Sequence, residues 1–141
     1  MNNNLKKITA FIREHHVLTL ATVGEGDVSA CSLFYAYDEQ SHTFIVASSQ
    51  DTEHIGNVLR NPDVAGNILL ETQEVGKIQG LQLKGKMQFL EDNRLKVLYF
   101  KRFPYALTLV PKLWQIEVNS FKLTDNRLGF GKKLLWCFDE F

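Results

Sequence analysis

The residues best suited to chemistry form a hydroxyl-rich segment in the first half of the chain, where Ser48, Ser49 and Thr52 alternate with Asp51 and Glu53. Such residues are typical of the first turn of a helix, because their side-chain oxygens cap backbone N–H groups. The same free N–H groups and the positive end of the helix dipole can also bind a phosphate group. The segment therefore has two interpretations, helix capping and anion binding, and both stay open at the level of the sequence.

A glycine- and lysine-rich segment near the carboxyl terminus, residues 129–133, suggests a nucleotide-binding phosphate loop. The pattern of such loops requires a glycine where this chain has Asn126 and a hydroxyl where it has Lys133. A nucleotide-binding phosphate loop is therefore excluded. The segment is interpreted either as a turn with solvated lysines or as a cationic arm that contacts a ligand phosphate.

The histidines and cysteines do not form a recognisable metal or catalytic pattern. His15 and His16 are adjacent, so their side chains diverge at a helix end and cannot share a metal ion on one face. Cys31 and Cys137 are far apart and lack a nearby Cys/His pair, which indicates free thiols in a reducing compartment and no structural zinc. No catalytic residue is predicted.

Composition and charge limit the class of protein. The 141 residues, 45% of them apolar and 23% charged, predict one folded domain that spans residues 1–141. Sixteen basic residues balance sixteen acidic ones, so general capture of nucleic acid is not expected. A membrane span needs about 20 consecutive apolar residues, and none is present. The amino terminus has no secretory apolar segment, and a cytoplasmic location is expected.

The pattern of apolar residues predicts mainly strands. Helices are predicted at residues 5–15, 51–61 and 92–103, and strands at 17–23, 28–37, 43–47, 64–70, 78–90 and 113–124. A turn and an apolar tail are predicted after the last strand. Because strands and helices do not alternate regularly, the fold class is predicted as mainly β (α+β), a six-stranded antiparallel barrel with flanking helices, rather than a doubly wound sheet.

Several segments resemble the pyridoxamine 5′-phosphate oxidase-like superfamily, the FMN-binding split barrels. They are a strand containing Leu20-Ala21-Thr22, the hydroxyl-rich segment, and the exit Asn61-Pro62-Asp63-Val64 into the fourth strand. The run Thr124–Lys133, TDNRLGFGKK, is similar to an uncharacterised bacterial branch in which TDNxLGFGKK recurs. The resemblance covers nearly the whole chain and implies a split β-barrel homodimer with two FMN sites at the subunit interface.

The resemblance also implies a set of cofactor-binding residues. Ser48 and Thr52 match the positions of phosphate-binding hydroxyls, and Gln82 lies on the polar face of the fifth strand, where superfamily members contact the flavin ring. An exposed strand glutamine is the alternative for Gln82, and a core position is the alternative for Trp114, which could instead cover a flavin. The full predicted set is Ser48, Ser49, Thr52, His54, Gln82, Lys84 and Trp114.

This chain departs from the superfamily pattern at three positions. Glu53 and His54 replace a basic pair, and Ala30 corresponds to an arginine on the second strand. A phosphate would lose charge-assisted hydrogen bonds, each worth about 1.5–3 kcal/mol. Substitute cations are expected among Lys84, Lys86, Arg127, Lys132 and Lys133.

Two functions of different classes remain open after these departures. The first is an FMN-dependent oxidoreductase that acts on an unknown small molecule. The second is a non-catalytic split-barrel module that binds haem, with His54 as candidate ligand, or another small molecule. A structural dimer without a ligand is a third possibility. Oxidation of pyridoxamine phosphate itself is not expected, because the basic residues that would hold two phosphates are mostly absent.

Overall fold

One antiparallel sheet forms the body of the protein in the computed structural model, which describes residues 3–138. Its strands follow the order β3-β2-β1-β4-β5-β6-β7, and β3 also pairs with β6. Because β3 is bonded to both β2 and β6, strands β1 to β6 close into a barrel. The strands are β1 Val17–Gly24, β2 Asp27–Asp38, β3 Thr43–Ala47, β4 Asp63–Leu70, β5 Gln79–Phe89, β6 Leu113–Asp125 and β7 Lys133–Cys137.

The predicted mainly β fold with flanking helices is confirmed, and the described residues contain seven strands, one more than predicted. β7 lies in the segment predicted as a turn and apolar tail, and it pairs with β6 from Ser120 to Thr124. β3 pairs only with the first part of β6, residues 113–117, so the second part has a free edge. β7 covers that edge, which would otherwise present unpaired backbone groups. Its short apolar run does not by itself indicate a strand.

Three helices within residues 3–138 flank the sheet, close to the positions predicted from the sequence. They are α1 Asn3–Glu14, α2 Glu53–Arg60 and α3 Asn93–Arg102. α1 buries Leu5, Ile8, Phe11 and Ile12, which follow the i, i+3, i+4, i+7 spacing of one helix face. Short 3₁₀ turns at Val75–Lys77, Pro104–Leu109 and Asn126–Leu128 connect the strands. Among the described residues, no helix is long and apolar enough to cross a membrane.

Two hydrophobic clusters hold these elements together. The larger one fills the barrel and extends to α1 and α2, with Leu20, Phe44 and Trp114 among its buried members. The smaller one lies beneath α3 and includes Ile45 and Tyr99. β3 contributes to both clusters, since Phe44 and Ile45 point to opposite faces of the strand. The segment that follows β3 is therefore held at the junction of two packed cores.

Candidate functional site

The hydroxyl-rich segment begins directly after β3, and its backbone is fixed there from two sides. The N–H of Ser48 donates to the carbonyl of Lys112 at 3.0 Å, which continues the pairing of β3 with β6. The carbonyl of Ser48 accepts the indole N–H of Trp114 at 3.0 Å. The Ser48 side chain therefore projects from a rigid strand end, as a binding residue requires.

Three of the predicted site residues form one polar cluster, defined here as the Ser48–Thr52–His54 cluster. The Nε2 atom of His54 lies 2.5 Å from the hydroxyl of Ser48 and 3.4 Å from that of Thr52. Burial lowers the pKa of His54 below its ordinary value, and the neighbouring Glu53 opposes that shift. The imidazole is therefore mostly neutral at pH 7. A neutral ring can exchange hydrogen bonds with these hydroxyls or ligate a metal.

Thr52 is the residue before α2, but its hydroxyl does not cap that helix. The hydroxyl donates instead to the carbonyl of Ser49 at 2.8 Å. The Ser49 hydroxyl donates to the carboxylate of Asp51 at 2.5 Å and is exposed. The capping interpretation of Thr52 is therefore not supported, and the first N–H groups of α2 receive no acceptor from this side chain. They can bind an anion, against the negative charge of the exposed Glu53.

Trp114 lies in the core rather than on a surface. Its side chain is 1% exposed, and its ring packs edge-on against Phe89 with centroids 5.3 Å apart. Of the two alternatives for this residue, the structure shows the core position. Its contribution to the Ser48–Thr52–His54 cluster is the hydrogen bond that holds the Ser48 carbonyl.

Gln82 and Lys84 lie on a different surface, the outer face of the sheet. Residues that lie opposite one another on neighbouring strands form two rows, which cross six strands from β2 to β7. One row contains Lys84 and the other contains Gln82. Neither row contains an acidic residue. The rows are Ala30, Ala21, Ala65, Lys84, Ser120, Cys137 and Ser32, Thr19, Asn67, Gln82, Lys122, Leu135.

Two grooves on the outer face meet at Gln82 and Lys84. The β1–β5 groove has a volume of about 270 Å³ and includes the small side chains of Ala21 and Ala65. The β5–β7 groove has a volume of about 470 Å³. Gln82 and Lys84 line both grooves, so they form a polar ridge between them. The β5–β7 groove is further lined by Ser120, Phe121, Lys122, Leu135, Trp136 and Cys137.

The structure does not bring the predicted site residues into one site within a single copy of the chain. Trp114 pairs with Phe89 at the end of β5, five residues from Lys84, which corresponds to about 17 Å along the strand. Lys84 also points outward, whereas Trp114 is in the core. The predicted residues thus divide into the Ser48–Thr52–His54 cluster and the Gln82–Lys84 ridge.

Most of the predicted substitute cations are engaged by other groups. Lys86 contacts Asp63 at 2.5 Å, Arg127 contacts Asp125 at 2.9 Å, and the ammonium of Lys133 donates to the carbonyl of Gly131 at 3.1 Å. Within residues 3–138, no ion pair involves Lys84. The same described range contains no group of three metal-ligating side chains.

The residues that complete the β5–β7 groove were not among those predicted from the sequence. Lys122 and Ser120 alternate with buried Phe121 and Leu123 on β6, which is a signal of an outward polar face. Their position beside Gln82 and Lys84 depends on the register of β5 and β6, which the sequence does not specify. Cys137 was interpreted only as an isolated thiol.

Comparison with known proteins identifies the family. The family model described as pyridoxamine 5′-phosphate oxidase matches residues 5–106. The chain therefore belongs to the pyridoxamine 5′-phosphate oxidase-like family of split-barrel proteins. It is 35% identical over 136 residues to a UPF0306 protein of Photorhabdus laumondii, covering 94% of this chain and 95% of the relative. A UPF0306 protein of Yersinia pestis is 35% identical over 141 residues, covering 96% of each chain.

Solved structures of proteins described as binding haem or FAD share the fold of this chain. A haem-binding protein from Mycobacterium smegmatis matches with a TM-score of 0.81 and 16% identity, covering 97% of this chain and 59% of that chain. An FAD-binding protein from Mesorhizobium loti matches with a TM-score of 0.71 and 15% identity, covering 84% and 90%. HutZ, the haem storage protein from Vibrio cholerae, matches with a TM-score of 0.69 and 16% identity, covering 81% and 89%. At these identities the likeness shows the fold alone.

Proposed function

We propose that the chain forms a homodimer that binds FMN at the subunit interface and acts as an oxidoreductase on a small molecule. The observation that carries this proposal is the division of the polar site residues between the Ser48–Thr52–His54 cluster and the Gln82–Lys84 ridge, which one copy cannot join. In a twofold dimer whose interface includes both patches, the cluster of one copy would lie against the ridge of the other. Family membership and the FAD-binding relative support a flavin as the ligand.

The outer face of the sheet is suited to contact with a second copy. It carries large apolar side chains on β1, β2 and β4 with substantial exposure, namely Val17 at 36%, Val28 at 72%, Phe34 at 57% and Leu69 at 55%. Val17 and Phe34 lie opposite each other on β1 and β2, and exposed apolar side chains of this size are typical of an interface. The small residues between them, such as Ala21 and Ala65, leave room for a flat ring.

The chemistry of the two patches complements a flavin nucleotide. The hydroxyls of Ser48 and Thr52 and the first N–H groups of α2 would receive the phosphate, and Lys84 of the other copy would supply positive charge. The amide of Gln82 can exchange hydrogen bonds with the polar edge of the ring. The flavin supplies the redox chemistry, and the protein binds and orients it.

A titration of the purified protein with FMN tests this proposal. We expect quenching of FMN fluorescence at micromolar protein and a dimer by analytical ultracentrifugation. Ser48→Ala and Thr52→Ala should each weaken FMN binding about tenfold, the effect of losing one hydrogen bond to a charged group. Thr72→Ala, on the β4–β5 connection, is the matched control. Absence of both quenching and flavin absorption would contradict the proposal.

Haem is the second candidate, and the observation that favours it is His54. Its half-buried, mostly neutral imidazole is of the kind that ligates iron, and two haem proteins share the fold. On this alternative, added haem gives a Soret band that His54→Ala weakens and the control His42→Ala preserves. A Soret band that is equal in all three proteins would reject His54 as the ligand.

A further inference from the structure

We propose that the β5–β7 groove binds a small organic anion with an apolar body, whose charged group lies between Lys84 and Lys122 and beside the thiol of Cys137. The inference rests on the proposed function in placing a small-molecule site on the outer face. It adds the chemical class of the molecule and three residues that sequence analysis did not include, Ser120, Lys122 and Cys137.

The arrangement of charge in the β5–β7 groove favours an anion. Lys84 lies opposite Ser120, and Lys122 lies opposite Gln82, so the two lysines are diagonal neighbours on β5 and β6. Diagonal neighbours on adjacent strands are about 7–8 Å apart. Among residues 3–138 no ion pair involves either lysine. Two like charges on such neighbouring positions repel each other, and an anion between them would relieve the repulsion.

The surroundings of the lysines also lack a compensating carboxylate. On one side the rows continue into Ala65 and Asn67 of β4, and on the other into Cys137 and Leu135 of β7. The nearest acidic positions along the strands are in the next row, where Asp63 pairs with Lys86 and Glu117 lies opposite Lys86. Within residues 3–138, neither carboxylate forms an ion pair with Lys84 or Lys122.

The shape and lining of the groove suit a small organic molecule. Its volume of about 470 Å³ lies within the range of small-molecule sites. The amide of Gln82 and the hydroxyl of Ser120 can donate hydrogen bonds to oxygens of the ligand. Leu135, which is 60% exposed, provides apolar surface, and the half-buried Trp136 also lines the groove. A carboxylate, sulfonate or phosphate on an aromatic or aliphatic body would match both the cationic, hydrogen-bonding side of the groove and its apolar side.

Cys137 makes occupancy of the groove measurable. It is exposed, lies opposite Ser120 and is diagonal to Lys122. The other thiol, Cys31, packs against the core, and burial raises its pKa. A Cys31→Ser background therefore leaves one accessible thiol, placed beside the two lysines.

The test compares two thiol reagents on this background without flavin. The first reagent is DTNB, a dianionic aromatic disulfide. Lys84→Gln and Lys122→Gln should each slow the reaction of DTNB with Cys137 about threefold or more. The uncharged reagent 4,4′-dithiodipyridine should change less than about twofold, and the control Lys101→Gln, on α3, should leave both rates unchanged. Far-ultraviolet circular dichroism verifies that each variant is folded.

A protection experiment completes the test. The anion 1-naphthoate should slow the labelling of Cys137 by the uncharged reagent, whereas the neutral 1-naphthalenemethanol should not, and either lysine variant should abolish the protection. Equal protection by both compounds, lysine-independent rates, or a Cys137 that reacts with neither reagent would overturn the proposal.

Adding FMN separates the two sources of such an anion. Protection by FMN that requires both lysines assigns the groove to the flavin phosphate. If FMN binds but does not protect Cys137, and 1-naphthoate does protect it, the groove is assigned to a second molecule. Lysine-dependent protection in a protein that does not quench FMN would reject the flavin proposal and retain the groove.

Discussion

The ion pair between Asp38 and Arg94 should make a measurable, pH-dependent contribution to stability. Asp38 ends β2 with a side chain that is only 8% exposed. Both of its oxygens accept hydrogen bonds from the guanidinium of Arg94, at 3.0 and 2.9 Å. Ser41 donates two more bonds, from its N–H and its hydroxyl. The pair joins the barrel to α3, and Asp38 also fixes the turn into β3.

The size of the effect follows from the pKa of Asp38. The hydrogen bonds from Arg94 lower this pKa from 3.8 to about 2, although burial of the carboxylate acts in the opposite direction. A folded-state pKa below the unfolded value means that the stabilisation is present above about pH 4 and is lost as the pH falls towards 2. At 1.36 kcal/mol per pKa unit, the difference corresponds to about 2 kcal/mol. Asp38→Asn should therefore lower the free energy of unfolding by about 2–3 kcal/mol at pH 7.

Urea denaturation followed by circular dichroism tests this expectation. The difference between wild type and Asp38→Asn should be constant from about pH 7 to pH 5 and shrink between about pH 4 and pH 2. Asp63→Asn is the matched control, because the Asp63 and Lys86 side chains are 68% and 60% exposed and such pairs contribute less than about 1 kcal/mol. A difference that does not change with pH, or equal losses in the two variants, would show that the Asp38–Arg94 pair does not stabilise the fold in this way.

Three further variants test the packing that supports the site. Gly85→Ala should destabilise the protein by more than about 2 kcal/mol in urea denaturation, because its Cβ would lie 2.2 Å from a backbone carbonyl of β6, whereas Gly76→Ala, with nothing within 4 Å, should be nearly neutral. Asn57→Leu should cost about 1–3 kcal/mol by the same measurement, because the buried amide donates to two hydroxyls on β1 and β2, at 3.1 and 3.3 Å. Trp114→Phe should lower the free energy of unfolding by about 2–3 kcal/mol and weaken FMN binding in the fluorescence titration, because it removes the hydrogen bond to the Ser48 carbonyl. Wild-type affinity for FMN in this variant would contradict the role of Trp114 in positioning Ser48.

The positions of the helices and of the first six strands could be predicted because they depend on local patterns. α1 shows its buried face in the spacing of Leu5, Ile8 and Ile12, and β5 shows strict alternation of buried Leu81 and Leu83 with exposed Gln82. Such periodicity reflects which side of an element meets the core. The location of the hydroxyl-rich segment after β3 was predicted for the same reason.

The strand β7 and the outer-face rows could not be predicted, because they depend on long-range pairing. β7 forms because β3 leaves the second half of β6 with a free edge, and no property of residues 133–137 alone reveals that edge. Lys84 and Lys122 are 38 positions apart in the chain and become neighbours only through the register of β5 and β6.

Hydrophobic periodicity and short motifs are local properties of the chain, so the family, the mainly β fold and the segments that carry polar chemistry could be recognised without the structure. What those segments can do depends on the folded chain. Closure of the barrel buried Trp114 and directed its N–H to Ser48, while strand register placed Gln82 and Lys84 on another surface with Lys122 and Cys137. These outcomes depend on which distant residues become opposite one another, and only the folded chain specifies that.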